Sequence, residues 1–219
     1  MELGDNQPHL RAVSMPRQPS AAVVVLHGGG SRRDRMRVSP TQLSVLRMIP
    51  IARSLARKHP HAGVFRLLNS ARGWDTHLTP LADAEWAVAK VVERLGPVPV
   101  ALVGHSLGGR AALLAAGSPH VGPVVALNPY LLPGDDRNIA GGPLLVVHGS
   151  DDRIASPAIA AKTVRRLQER GIDASFTEVP GGRHAMLRHH GEFQRPASDF
   201  VTMALNGDGD AGSSARRRR

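Results

Sequence analysis

The stretch that most constrains the fold is Gly104-His105-Ser106-Leu107-Gly108-Gly109. An apolar run of strand character, Val98 to Val103, stands before it, and a run of helix character, Arg110 to Ala116, follows. A chain that passes from strand to helix within so few residues must turn sharply. Small residues at 104 and 108 allow that turn and let the helix approach the sheet closely. Ser106 is then expected at the tip, with strained backbone and an exposed hydroxyl.

Further runs repeat the pattern. Ala21 to Leu26 is continuously apolar with three consecutive valines, as expected of a parallel strand buried on both faces. Val64 to Leu68, Val124 to Leu127 and Leu144 to Val147 read alike, and Ser175 to Val179 has the alternation of an edge strand. Helical stretches lie between them. Thr41 to Lys58 carries Pro50, which is expected to bend or split it. A helix opening at Thr79 or Asp83 stops at Gly96-Pro97, one from Pro157 stops at Gly171, and a closing helix covers about Glu192 to Leu205. Alternating strands and helices with short links predict an α/β fold, a mostly parallel sheet with helices on both faces. Residues 1–20 read as an N-terminal arm with a possible short edge strand over Leu10 to Met15, 21–205 as one α/β domain, and 206–219 as a disordered tail ending in arginines.

Composition removes several alternatives. With no cysteine there is no disulfide, thiolate metal site or cysteine nucleophile. No run approaches the ~20 apolar residues that cross a bilayer, and the first twenty residues lack the apolar core of a secretory signal. A cytoplasmic protein is the expectation. The formal charge of +10 suggests nucleic acid, but Arg216 to Arg219 supply four of those charges, and one tyrosine and four phenylalanines offer little for base stacking. No specific nucleic-acid partner is expected.

Glycine-flanked serine between strand and helix is the setting of a nucleophile elbow, and here the chain resembles the α/β-hydrolase family. The resemblance spans about residues 21–205. It implies the α/β-hydrolase fold and the chain order Ser, then Asp or Glu, then His. Ser106, the Asp151-Asp152 pair and His184 follow that order, each after an expected strand. Family spacing after Gly149 points to Asp152 over Asp151; Asp135 or Asp136 is a further candidate acid. His105 and His27 match family positions that pack beside the elbow and before the oxyanion loop.

His27-Gly28-Gly29-Gly30 closes the first buried strand and leaves backbone N–H groups uncovered. It lacks the Gly-Lys-Ser/Thr ending of a phosphate loop, so an oxyanion loop is preferred. The resemblance implies an oxyanion hole from the Leu107 and Gly29 amides, with Gly28 or Gly30 as alternates. Gly28, Gly30, Arg32, Trp74 and Tyr130 are candidate substrate-lining residues. Only about a dozen residues, Leu131 to Gly142, occupy the place where many family members insert a lid, so a minimal cap or none is expected.

The expected activity is hydrolysis of a small carboxylic ester or thioester through an acyl-enzyme, with no cofactor and no metal. A biosynthetic acyltransferase, cyclase or lactonase could use the same triad. A hydrolase-like binding protein is the non-enzymatic alternative.

Overall fold

The computed structural model describes residues 7–30 and 36–215. Among the described residues seven strands form one sheet: β1 (His9–Ser14), β2 (Ala21–Leu26), β3 (Ala62–Leu68), β4 (Val100–His105), β5 (Val121–Leu127), β6 (Leu144–Gly149) and β7 (Ala174–Val179). They lie in the order β1-β3-β2-β4-β5-β6-β7. Only β1 runs antiparallel, against β3; every other pairing is parallel.

Every residue of β2, β4 and β6 is buried, because helices cover both faces. Successive residues of β2 point to opposite sides. Ala22, Val24 and Leu26 face the apolar layer that holds Ala87 and Val91 of α3 (Thr79–Leu95), Leu113 of α4 (Leu107–Leu114) and, farther along the sheet, Leu167 of α5 (Pro157–Glu169). Val23 and Val25 face the opposite layer, which holds Met48 and Leu55 of α2 (Met48–Lys58) and, toward β5, Phe193 and Val201 of α6 (His190–Ala215). A valine run without polar alternation is therefore what a strand between two helical layers requires.

Three expectations shift in detail. The helix expected over 41–58 is split into α1 (Leu43–Leu46) and α2, parted at Arg47. Pro50 then falls in the first turn of α2, where its missing N–H costs no helical bond. Helix α4 begins at Leu107, ahead of the expected Arg110, because Gly108 and Gly109 are helical despite their low propensity. Helix α6 runs to Ala215, into the stretch whose composition predicts a disordered tail, but the apolar residues that dock it, Phe193, Ala197 and Val201, all precede Asn206.

The elbow glycines are dictated by contact. A Cβ on Gly104 would lie 2.2 Å from the Gly108 carbonyl oxygen, and one on Gly108 would lie 2.5 Å from the His27 carbonyl oxygen. Backbone cannot yield there as a flexible side chain can. Gly108→Ala is expected to cost about 3 kcal/mol, seen as a fall of roughly 10 °C in the thermal midpoint. A midpoint within about 2 °C of the parent would contradict that packing.

Strand order also decides where chemistry can gather. Strand β2 lies between β3 and β4, and the chain crosses from one side of it to the other. The carboxyl ends of β2 and β4 flank this switch point, and crevices at such points carry the ligand sites of open α/β sheets. The glycine loop leaves β2 here and Ser106 leaves β4.

Candidate active site

Ser106 has φ 57° and ψ −120°, a backbone conformation that side chains rarely adopt. It is held there from both sides. Its N–H donates to the Leu127 carbonyl, and its own carbonyl accepts from the Arg110 and Tyr130 amides. Strain at a position so tightly bound is a mark of a functional residue. The turn alone predicts an exposed hydroxyl. In the fold the residue is only 8 % exposed, because Gly28 packs beneath it and the loops rise around it. Ser106 thus forms the floor of a recess.

Asp152, His184 and Ser106 form a continuous chain. His184 Nδ1–H donates to Asp152 Oδ2 at 2.8 Å, and the Ser106 hydroxyl donates to His184 Nε2 at 3.0 Å. With the proton on Nδ1, the Nε2 lone pair faces the serine. Asp152 Oδ1 accepts from the Ile154 and Ala155 amides at 2.8 and 2.9 Å. His148, fully buried, brings Nε2 to 3.4 Å from Asp152 Oδ2. Burial pushes the Asp152 carboxyl up, but the bonds from His148, His184 and the two amides outweigh it and hold the group well below the usual carboxylate range. It is a fixed negative charge beside the imidazole.

The other carboxylates are placed elsewhere. Asp151 is exposed. Asp135 is clamped by Arg110 through two 2.8 Å bonds, and Asp136 pairs with Arg166 at 3.1 Å. These bonds pin the short segment after β5, which holds one 3-10 turn over Asp135–Asn138 and forms no cap. The same Arg110 lies 4.1 Å over the Trp74 ring and fixes it as a wall of the recess.

The recess encloses about 490 Å³. Gly29, Gly30, Trp74, Leu107 and Tyr130 line it with Ser106 and His184, as do Ser44, Arg47 and Ile154, which sequence reasoning did not single out. Gly28 lies under the serine: a Cβ there would come within 2.8 Å of the Ser106 Cβ. Arg32 lies outside the described residues. Leu107 opens α4, so its amide has no helical carbonyl one turn back to bond. Gly29 has φ 126°, a conformation that favours glycine, and a Cβ on it would also crowd the Ser44 hydroxyl at 2.8 Å.

Two further residues position the histidine loop: Asn128, which the sequence did not single out, and His105, expected to pack beside the elbow. Asn128, fully buried with φ 44°, accepts from the Gly149 N–H at 2.8 Å and donates to the Arg183 and His184 carbonyls at 3.2 Å. It thus ties the ends of β5 and β6 to the histidine loop. His105 Nε2–H donates to the His184 carbonyl at 2.8 Å. Burial, then the nearby His184, pushes the His105 imidazole from its ordinary 6.5 down to about 3. Its Nδ1 is buried without a partner, so a second proton there would have nothing to bind.

A stability consequence follows from His105. Below about pH 6.5 the unfolded chain protonates this histidine while the folded chain does not. Its contribution is therefore fully present above pH 6.5 and is lost as pH falls toward 3, by up to about 1.4 kcal/mol per pH unit. Melts of the wild type and His105→Gln between pH 7 and about 4.5 should show a shallower loss for the variant. Parallel curves would contradict a neutral, buried His105.

The model of the Alpha/beta hydrolase family matches residues 23–144, which include the glycine loop and Ser106 but stop before Asp152 and His184. No curated protein matches the sequence. Solved structures share the fold at low identity. Esterase PE8 superposes with a TM-score of 0.64 at 21% identity, over 90% of this chain and 98% of its own. An acetyl ester-xyloside bifunctional hydrolase from Caldicellulosiruptor lactoaceticus has a TM-score of 0.68 at 16% identity, over 90% and 89%. A lidless α/β serine hydrolase from Xanthomonas campestris has a TM-score of 0.63 at 17% identity, over 91% and 87%. No helix among the described residues is long and apolar enough to cross a membrane. With the family match over more than half the chain, and the acid and base brought to the serine by the same sheet, the chain belongs to the alpha/beta hydrolase family.

Proposed function

We propose that the protein hydrolyses carboxylic esters through an acyl-enzyme on Ser106. The observation that carries this reading is the unbroken chain from Ser106 Oγ to His184 Nε2 at 3.0 Å and from His184 Nδ1 to Asp152 Oδ2 at 2.8 Å, at the floor of the recess. His184 takes the serine proton as Oγ attacks the ester carbonyl. Asp152 holds the imidazole in the required tautomer and stabilises the imidazolium that forms. The Leu107 and Gly29 amides receive the oxyanion, each donor lowering the barrier by about 3 kcal/mol. His184 then protonates the leaving alcohol, and water activated by the same ring releases the acid.

Hydrolysis is favoured over acyl transfer because no cap among the described residues shields an acyl-enzyme from water. The same proposal covers thioesters beside oxygen esters and a cytoplasmic place of work. Para-nitrophenyl acetate, butyrate and octanoate test the oxygen-ester reading. Saturable release of nitrophenol, fastest with the acyl chains the recess accommodates, is expected. No turnover of any of them by folded protein would contradict it.

A further inference from the structure

Arg47 stands out among the residues that line the recess. It sits at the break between α1 and α2 and carries the only formal charge among the described lining residues; no aspartate or glutamate faces the recess with it. None of the ion pairs among the described residues includes it. Its Nε is buried without a hydrogen-bond partner. Arg110 and Arg166, by contrast, are each matched to an aspartate. A guanidinium half-withdrawn from water and without a carboxylate partner among the described residues is poorly solvated, and an anion placed against it relieves that cost.

The surroundings withdraw water from one side. Arg47 also borders a smaller apolar recess of about 190 Å³, walled by Pro50, Ile51, Met186 and Phe193. Burial lowers the pKa of the group below its ordinary value, and its positive charge is felt at His105, next to the serine. Arginine loses no charge at working pH, so the recess keeps a permanent cation beside Ser106.

We propose that Arg47 forms an anion-binding subsite of the Ser106 recess and that the preferred substrates are esters carrying a free carboxylate. This rests on the reading of Ser106 as the acylated residue. A carboxylate is favoured over a phosphate because Arg47 is the single cation among the described lining residues and balances one negative charge, where a phosphate monoester dianion calls for a second; its planar fork takes both carboxylate oxygens, and Ser44 and Tyr130 are the hydroxyl-bearing neighbours beside the catalytic pair. The cation would orient the substrate by the end opposite its reacting carbonyl.

Binding tests this without turnover. In the Ser106→Ala background, monomethyl glutarate and dimethyl glutarate are titrated calorimetrically at low ionic strength. The monoacid should bind at least about tenfold more tightly than the diester. Arg47→Met, added to that background, should erase the difference. Arg47→Lys should keep part of it, because the charge survives and the fork does not. Equal affinities for the two ligands, or a preference that survives Arg47→Met, would overturn the proposal. Should Arg47→Met fail to fold, judged by circular dichroism, Arg47→Lys decides: an undiminished preference overturns the fork. Fluorophosphonate labelling of the wild type separates the two claims. Labelled protein without a carboxylate preference refutes only the subsite, and unlabelled protein refutes the nucleophile.

Discussion

Replacing Ser106 by alanine is expected to lower kcat on a para-nitrophenyl ester by roughly 10⁴- to 10⁶-fold while the protein stays folded. The residue contributes one oxygen, but that oxygen forms the bond to the acyl group. The oxyanion donors remain in the variant and account for whatever rate persists above water. The fold should tolerate the change. The strained backbone at φ 57° is no harder for alanine than for serine, and the neighbours that hold it are the main-chain groups of Leu127, Arg110 and Tyr130. Near-UV and far-UV circular dichroism should therefore match the wild type. A variant with more than about a tenth of the parental kcat would show that the measured hydrolysis does not pass through Ser106.

Asp152→Asn is expected to lower kcat by roughly 10³- to 10⁴-fold, with KM little changed. The loss is one of proton position. The carboxylate accepts from His184 Nδ1–H and so leaves Nε2 free to take the serine proton. An asparagine that turns its amide NH₂ toward the ring donates to Nδ1 instead, and the ring proton moves to Nε2. It also faces donors already committed to it, the Ile154 and Ala155 amides and His148. Asp151→Asn, altering an exposed neighbour, should change kcat by less than about twofold. Equal mild losses in both variants would remove Asp152 from the triad.

The contrast between these two aspartates shows what can be read before a structure. Asp152 follows a buried valine strand at family spacing, and the fold places it against His184 while Asp151 faces water. Ala21 to Leu26 is likewise legible, because a strand covered on both faces has no polar side to disguise it. What stayed hidden depends on residues far apart in the chain. Asn128 bonds Arg183 and His184 more than fifty positions away, and His105 reaches the His184 carbonyl across 79. No local pattern announces such bonds; they exist because β4, β5 and β6 lie side by side with their carboxyl ends together. Arg47 was hidden for a different reason. In sequence it is one basic residue inside the helix expected over 41–58, and the fold places it at the break between α1 and α2, on the recess. The Arg110–Asp135 clamp spans 25 positions and is equally silent in the sequence, which is why Asp135 stands there as a candidate acid until the fold gives it a structural partner.

The most direct test of the central claim is a covalent one. The purified protein is treated with a fluorophosphonate, digested, and mapped by mass spectrometry. The account predicts one adduct, on the peptide containing Ser106, and none when Ser106→Ala is treated in parallel. Folded wild-type protein that carries no adduct on Ser106, or carries it on another serine that also survives in the variant, would contradict it.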